Sequence, residues 1–234
     1  MSPPCSPAYP FPVSSQPSPA SPAPSLTERR KAATQLDIAH AAAELFMEYG
    51  PDGTTAEDIA RRAGVALRTF YRYFRNKQDA VGPLLSAGGD HWRALLAATE
   101  PGTMLPQALE KAISQALAGP DRRTAEGLNQ TRALLRAATH DPALRAVWYR
   151  VNQDSEEKLI PVVAALAGIG ADPLETRLAA AAATDAIRVA LEVWAETDAD
   201  VEGSGCPAEL AVRCLRQLMG GMGPLFSGDP AREN

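Results

Sequence analysis

The chain has little cysteine, no long apolar run, and no acid in the one stretch where its basic residues gather. Its 234 residues include three cysteines, Cys5, Cys206 and Cys214. An odd, irregularly spaced set offers neither a disulfide framework nor a zinc pattern and suits a reducing compartment. Cys206 and Cys214 read as small buried hydrophobes, with a redox pair as the alternative. No apolar stretch reaches the ~18–20 residues that span a bilayer, and the N-terminus lacks the basic-then-apolar order of a secretion signal. A cytoplasmic protein with no membrane partner is therefore expected. His40, His91 and His140 stand far apart, each without a second ligand at metal spacing. No Gly-rich phosphate loop or nucleophile elbow occurs. No metal site, cofactor or enzyme activity is expected, and an enzyme with a dispersed active site is kept as an alternative.

Charge is also missing from residues 1–24, which are rich in Pro, Ser and Ala. Such a segment buries too little apolar surface to offset its ordering entropy, so it reads as a disordered tail. A proline-recognising partner is the functional alternative. The 45 % hydrophobic content of the whole chain is enough for a sizeable core. With little strand-type alternation, the fold class expected is all-α, about nine helices. The division expected is a tail over 1–24, a first helical domain over 25–77, a second, larger helical domain over 78–226, and a C-terminal tail over 227–234.

The first helix is expected from the capping box Ser25-Leu26-Thr27-Glu28. Its apolar stripe is Ile38, Ala41, Ala42, Leu45, Phe46 and Tyr49, and Gly50-Pro51-Asp52-Gly53 stops it. Arg29, Arg30 and Lys31 near its start oppose the helix dipole; they read equally as a phosphate or minor-groove contact or as a solvated first turn. A second helix spans about Ala56 to Ala63, capped by Thr54 with Glu57 or by Thr55 with Asp58, with Ile59, Ala60 and Ala63 inward. Gly64 ends it. A third runs from about Leu67 to Phe74, with Val65, Phe70 and Phe74 inward. Further helices are expected over about 78–99, 105–117, 124–139, 142–166, 173–197 and 207–219, the first of them weakened by Gly82-Pro83 and Gly88-Gly89.

The net charge of −5 argues against a polyanion partner, yet the average conceals a local excess. From Arg61 to Lys77 the charged residues are Arg61, Arg62, Arg68, Arg72, Arg75 and Lys77, without an acid among them. That is the footprint of a nucleic acid. A major groove admits one helix whose outer face offers donors to phosphates and to base edges. On the third helix Arg68, Thr69, Tyr71, Arg72 and Tyr73 occupy the positions left over by Phe70 and Phe74.

These residues resemble a known family. At Thr54-Thr55, Asp58-Ile59-Ala60, Ala63-Gly64-Val65, Thr69-Phe70-Tyr71, Tyr73-Phe74 and Lys77, the stretch from about Ala32 to Leu84 looks like the helix-turn-helix DNA-binding domain of TetR-type transcriptional regulators. The resemblance covers about a quarter of the chain. It implies that Thr55, Thr69, Tyr71, Tyr73 and Lys77 hold phosphates of a double-stranded operator, that Leu67 and Arg68 approach base edges, and that Arg72 lies at the flank. Ala66 departs from the family's usual capping serine, and Arg68 stands where a small residue is common.

The resemblance further implies a ligand-responsive repressor that works as a homodimer through its two C-terminal helices. Ala179 to Ala183 would allow close helix approach, with Ile187, Leu191, Trp194, Leu210, Leu215 and Leu218 continuing the interface; an intramolecular core is the alternative. A small-molecule effector is expected in a pocket drawn from Trp92, Leu96, Arg132, Trp148, Asn152, Asp185 and Arg188. Asp185 is the polar exception in an apolar stripe and, if buried, needs Arg188, Arg132 or a cationic ligand as partner. The rival reading is an architectural DNA-binding protein without effector, which a solid core with no cavity would favour.

Overall fold

The computed structural model describes residues 25–100, 102–119, 122–168 and 170–220. The expected tails at 1–24 and 227–234, residues 221–226 and Cys5 lie outside the described residues. Among those described there are nine α-helices and no strand.

Helix α1 (Leu26–Tyr49) opens with the expected capping box: Glu28 N donates to Ser25 Oγ at 3.2 Å, and Ser25 N to Glu28 Oε2 at 2.7 Å. Its first turns, including Arg29, Arg30 and Lys31, are exposed, and burial begins at Ile38. Ile38, Ala41, Ala42, Leu45 and Phe46 face inward. Tyr49 does not continue this stripe and is 57 % exposed, because the chain turns away at Gly50 (φ +74°) before an element covers it.

Helix α2 (Ala56–Arg62) is capped by Thr55 with Asp58: Asp58 N donates to Thr55 Oγ1 at 3.1 Å and Thr55 N to Asp58 Oδ2 at 3.1 Å. The Thr55 hydroxyl and amide hold the Asp58 carboxyl below its usual value. A depressed acid keeps its charged contacts at neutral pH and loses them as the pH falls through the folded value. Gly64, at φ +68°, turns the chain into helix α3 (Leu67–Tyr73). Ala66 gives α3 no side-chain cap, as its methyl dictates. Phe70 is fully buried and Phe74 nearly so, their ring centroids 5.7 Å apart.

Two side chains lock these helices together. Thr54 is 1 % exposed, and its hydroxyl is placed to donate to the carbonyls of Leu45 at 3.2 Å and Gly50 at 2.9 Å. Lys77, beyond α3, donates from Nζ to the carbonyls of Pro51 at 2.6 Å and Thr54 at 3.0 Å. The end of α1, the start of α2 and the exit of α3 thus share one hydrogen-bonded turn.

The expected helix over 78–99 divides into a 3-10 turn at Asp79–Val81 and helix α4 (Gly82–Ala97). Pro83 falls in the first turn, where its missing N–H costs nothing. Gly89 permits a close approach to α7 (Pro142–Ala167): a Cβ there would sit 2.9 Å from Ser155 Oγ. Helices α5 (Leu105–Leu117) and α6 (Arg122–Ala138) follow, and α8 (Pro173–Ala195) and α9 (Pro207–Gly220) complete the order. Helices α7, α8 and α9 each begin on a proline, with Asp141 and Asp172 capping the first two.

The alanine run on α8 serves the chain's own core. Ala179, Ala180, Ala182 and Ala183 are buried, as are Ile187, Leu191, Trp194, Leu210 and Leu215; of the residues expected at a dimer interface, Leu218 alone is exposed. The small side chains let α7 and α9 approach α8 closely, and this packing consumes the face. Trp194 is completely buried, its indole N–H directed at the carbonyls of Ala199 and Asp200, with the Arg132 guanidinium 3.6 Å above the ring. Cys206 and Cys214 are free, half-buried thiols.

Lys77→Met keeps the aliphatic stem and deletes both donor contacts. A cost of about 1–3 kcal/mol is expected from two half-buried carbonyls losing a charged partner, read as a lower urea midpoint. A midpoint equal to wild type would show that the turn holds without them.

Candidate nucleic-acid interface and the cavity behind it

The outer surface of α2 and α3 sorts the basic residues by what already holds them. Arg61 pairs with Asp58, and Arg62 forks between Glu44 at 3.1 Å and Glu48 at 3.2 Å on α1. Lys77 is half-buried on its two carbonyls and keeps one N–H in reserve. Arg72 lies over the Tyr73 ring at 4.9 Å and donates to its hydroxyl at 3.2 Å. Arg68 and Arg75 have no ion-pair partner among the described residues and are exposed. The run without acids in sequence therefore presents fewer free cations than it contains, because acids from α1 and from the first turn of α2 fold back onto it.

Leu67, Arg68, Tyr71 and Arg72 are exposed on one helix. Thr69 and Tyr73 are half-buried beside them, and Thr55 is exposed at the start of α2. The eight residues singled out in the sequence thus belong to one surface region around α2, α3 and the turn that Lys77 closes. Tyr71 packs the edge of its ring against Phe70, with centroids 5.3 Å apart, so its orientation is set from below.

Behind this surface lies a cavity of about 690 Å³, partly open to solvent. Leu84 and Trp92 of α4, Leu128 and Leu134 of α6, Trp148, Val151 and Asn152 of α7, and Thr184, Ile187 and Leu191 of α8 line it. His40, Glu44 and Met47 of α1 form part of its wall, so the helix that supports α2 also borders the cavity.

Of the expected pocket residues, Trp92, Trp148 and Asn152 meet at this cavity. The others do not. Leu96 is completely buried in the core. Arg132 donates to the Ala199 carbonyl and stacks on Trp194, which ties α6 to the segment after α8. Asp185 is exposed, not buried, and accepts from Arg188 at 2.9 Å on its own helix. Arg188 also donates to Glu192 at 3.0 Å, and Glu192 accepts the Trp148 indole N–H at 2.7 Å. Asp185 and Arg188 thus act on the cavity only through the ring they help to hold. Thr184 was missed, although it is the sole hydroxyl in the run from Ala179 to Ala183 and its two successors.

Two contacts join α7 to the residues that follow Lys77. Gln78 Nε2 donates to Asp141 Oδ2 at 2.8 Å, and Arg150 donates to Asp79 Oδ1 at 2.6 Å. Burial works to raise the Asp141 carboxyl, but hydrogen bonds from Gln78 and the amides of Leu144 and Ala143 hold it below the usual carboxylate range. The link is charged at neutral pH.

Comparison with known proteins agrees with this geometry. Residues 38–81 match the family model for the N-terminal domain described as "Bacterial regulatory proteins, tetR family". The HTH-type transcriptional regulator TcmR of Streptomyces glaucescens is 28 % identical over 197 residues, covering 82 % of this chain and 87 % of TcmR. An HTH-type transcriptional repressor of Mycobacterium tuberculosis is 34 % identical over 90 residues, covering 36 % of this chain and 48 % of that protein. Among solved structures, Thermus thermophilus FadR, a TetR-family repressor in complex with lauroyl-CoA, aligns with a TM-score of 0.52 at 23 % identity, over 86 % of this chain and all of that one; that likeness speaks for the fold. In agreement with the short helices and the turn described above, residues 38–81 form a domain of the kind found at the N-terminus of TetR-family regulators.

Proposed function

We propose that this chain is a ligand-responsive repressor that binds a double-stranded operator as a homodimer. The observation that carries the DNA reading is the outer face of α3, where Arg68 is exposed and unpaired beside Leu67, Tyr71 and Arg72 while neighbouring cations are already engaged. Arg68 would donate two hydrogen bonds to a guanine edge. Thr55, Thr69, Tyr71 and Tyr73 would fix register on phosphates, with Arg72 at the flank. Lys77 would add its remaining N–H to a phosphate while holding the turn that orients α3.

The functional division that fits this reading is 25–77 for DNA and 78–226 for regulation and pairing. A second copy is needed because one reading helix covers too little sequence, and paired helices must sit about one turn, ~34 Å, or a multiple of it apart. Leu174, Leu178 and Val193 on α8 and Leu218 on α9 are exposed apolar side chains, and these, not the buried alanines, would form the pairing face.

The cavity supports a ligand-responsive protein over an architectural one. An effector would act by population shift, lowering operator affinity by its differential affinity for the conformation with wrongly spaced reading helices. Two routes lead from the cavity to DNA: Glu44 on its wall is bonded to Arg62 of α2, and α7 is bonded to Gln78 and Asp79 just past Lys77.

Selection of bound DNA from a random pool tests the reading; recovery of no preferred sequence would count against it. Arg68→Ala is expected to relax discrimination by about 1–3 kcal/mol at one base pair per half-site, and equal losses on operator and random DNA would remove Arg68 from base reading. Sedimentation should show a dimer at micromolar concentration, with Leu178→Glu shifting it toward monomer and weakening operator binding. A wild-type monomer would overturn the pairing.

A further inference from the structure

We infer that the cavity takes an amphipathic acid, its apolar body among the buried side chains of α4, α6, α7 and α8 and its anionic end at the opening beside Arg123, His40 and His91. This rests on reading the cavity as the effector site and goes on to name the chemistry of the ligand.

The lining divides by exposure. Every exposed lining residue comes from α1, α4 or α6, whereas α5, α7 and α8 contribute only buried or half-buried ones. The opening is therefore framed by α1, α4 and α6. Away from it the wall is apolar or aromatic: Trp92, Leu128, Leu134, Trp148, Ile187 and Leu191 are all buried, and an apolar body leaving water is favoured against them. Gln130, Asn152 and Ser155 are half-buried on the same lining and bring amide and hydroxyl groups, so the body need not be a bare hydrocarbon. The volume of about 690 Å³ lies within the ~300–1,000 Å³ range of small-molecule sites.

The charged groups at the opening are of two kinds. Its carboxylates are already engaged: Glu44 accepts from Arg62 at 3.1 Å, and Glu126 from Arg122 Nε at 2.7 Å. His40 of α1, His91 of α4 and Arg123 of α6 have no hydrogen-bond or ion-pair partner among the described residues. What three helices leave unused at the opening is thus a guanidinium and two imidazoles, each with N–H to donate. An oxyanion is the acceptor that suits such a set, and its hydrogen bond to a guanidinium is charge-assisted. An ammonium there would meet Arg123 as a like charge, with both carboxylates occupied. The acid would also lie against α1, the helix whose Glu44 holds Arg62 of α2.

Equilibrium dialysis of the full chain at neutral pH with 2-naphthylacetate, 2-naphthylethanol and 2-naphthylethylammonium compares three end groups on one ring body. Because the opening is exposed and solvent screens it, the expected preferences are modest: the acid about threefold tighter than the alcohol and about tenfold tighter than the ammonium. Both gaps should narrow in about 1 M salt. Arg123→Gln should bring the acid to the affinity of the alcohol while leaving the alcohol unchanged, and Arg123→Lys should keep most of the preference. Arg213→Gln removes the same charge from an exposed position on α9, which contributes nothing to the lining, and should leave the ratios as in wild type. A preference for the acid that survives in Arg123→Gln, an ammonium that binds as tightly as the acid, or no binding of any of the three overturns the inference. Operator binding measured on the same samples separates the two readings: the expected ratios without any change in operator affinity support this ligand chemistry and count against the effector role.

Discussion

The turn between α1 and α2 carries more than its length suggests. Two of its carbonyls, those of Pro51 and Thr54, accept from the Lys77 ammonium, while the buried Thr54 hydroxyl is directed back at Leu45 and Gly50. A backbone carbonyl taken out of water needs a partner, and here one ammonium serves two of them across a separation of more than twenty residues. The orientation of α3 depends on that arrangement, because α3 is only seven residues long and a helix so short does not hold itself together in water. Phe70 and Phe74 anchor it from below and Lys77 fixes its exit. The exposed arginine and tyrosine side chains are thereby presented on a rigid support.

The electrostatics follow the same economy. An unbroken run of cations would repel itself, and the fold relieves this by engaging Arg61 with Asp58, Arg62 with Glu44 and Glu48, and Lys77 with carbonyls. What stays free sits on and just after α3. The exposed ion pairs contribute little stability, since solvent screens them. Their value is positional: the Arg62 pairs join α2 to α1, the Arg61 pair closes within α2, and Arg68 and Arg75 are left without an ion-pair partner among the described residues.

The larger helices are organised by side chains that reach backbone at helix ends. Arg136 donates to the carbonyls of Ala195 and Thr197, and Arg132 donates to Ala199 while covering Trp194. These contacts close the end of α8 against α6. Between α6, α7, α8 and α4 the packing leaves the cavity, and the ring of Trp148 on its wall is held by Glu192 and Arg188. The cavity wall is thus connected by hydrogen bonds to α8 on one side and, through α7, to Gln78 and Asp79 on the other.

Local chemistry made much of this legible from the chain alone. The capping box at Ser25, the Thr55–Asp58 cap, the glycine stop at position 64 and the prolines that open α7, α8 and α9 act over a few residues, and the helices begin and end close to where those signals stand. The family motif, too, is a local pattern. What local pattern does not contain is which acid meets which base, which face of an amphipathic helix is used up within the chain, and which polar group is left without a partner. Tyr49 lies on the helical stripe yet is exposed, the alanines of α8 suit an interface yet fill the core, Asp185 sits among apolar residues yet faces water, and Thr184 passes unnoticed in an alanine run. Helix periodicity says only that a side chain shares a face with its neighbours. Whether that face meets solvent, another helix or a cavity is decided by residues tens of positions away, and so by the tertiary structure.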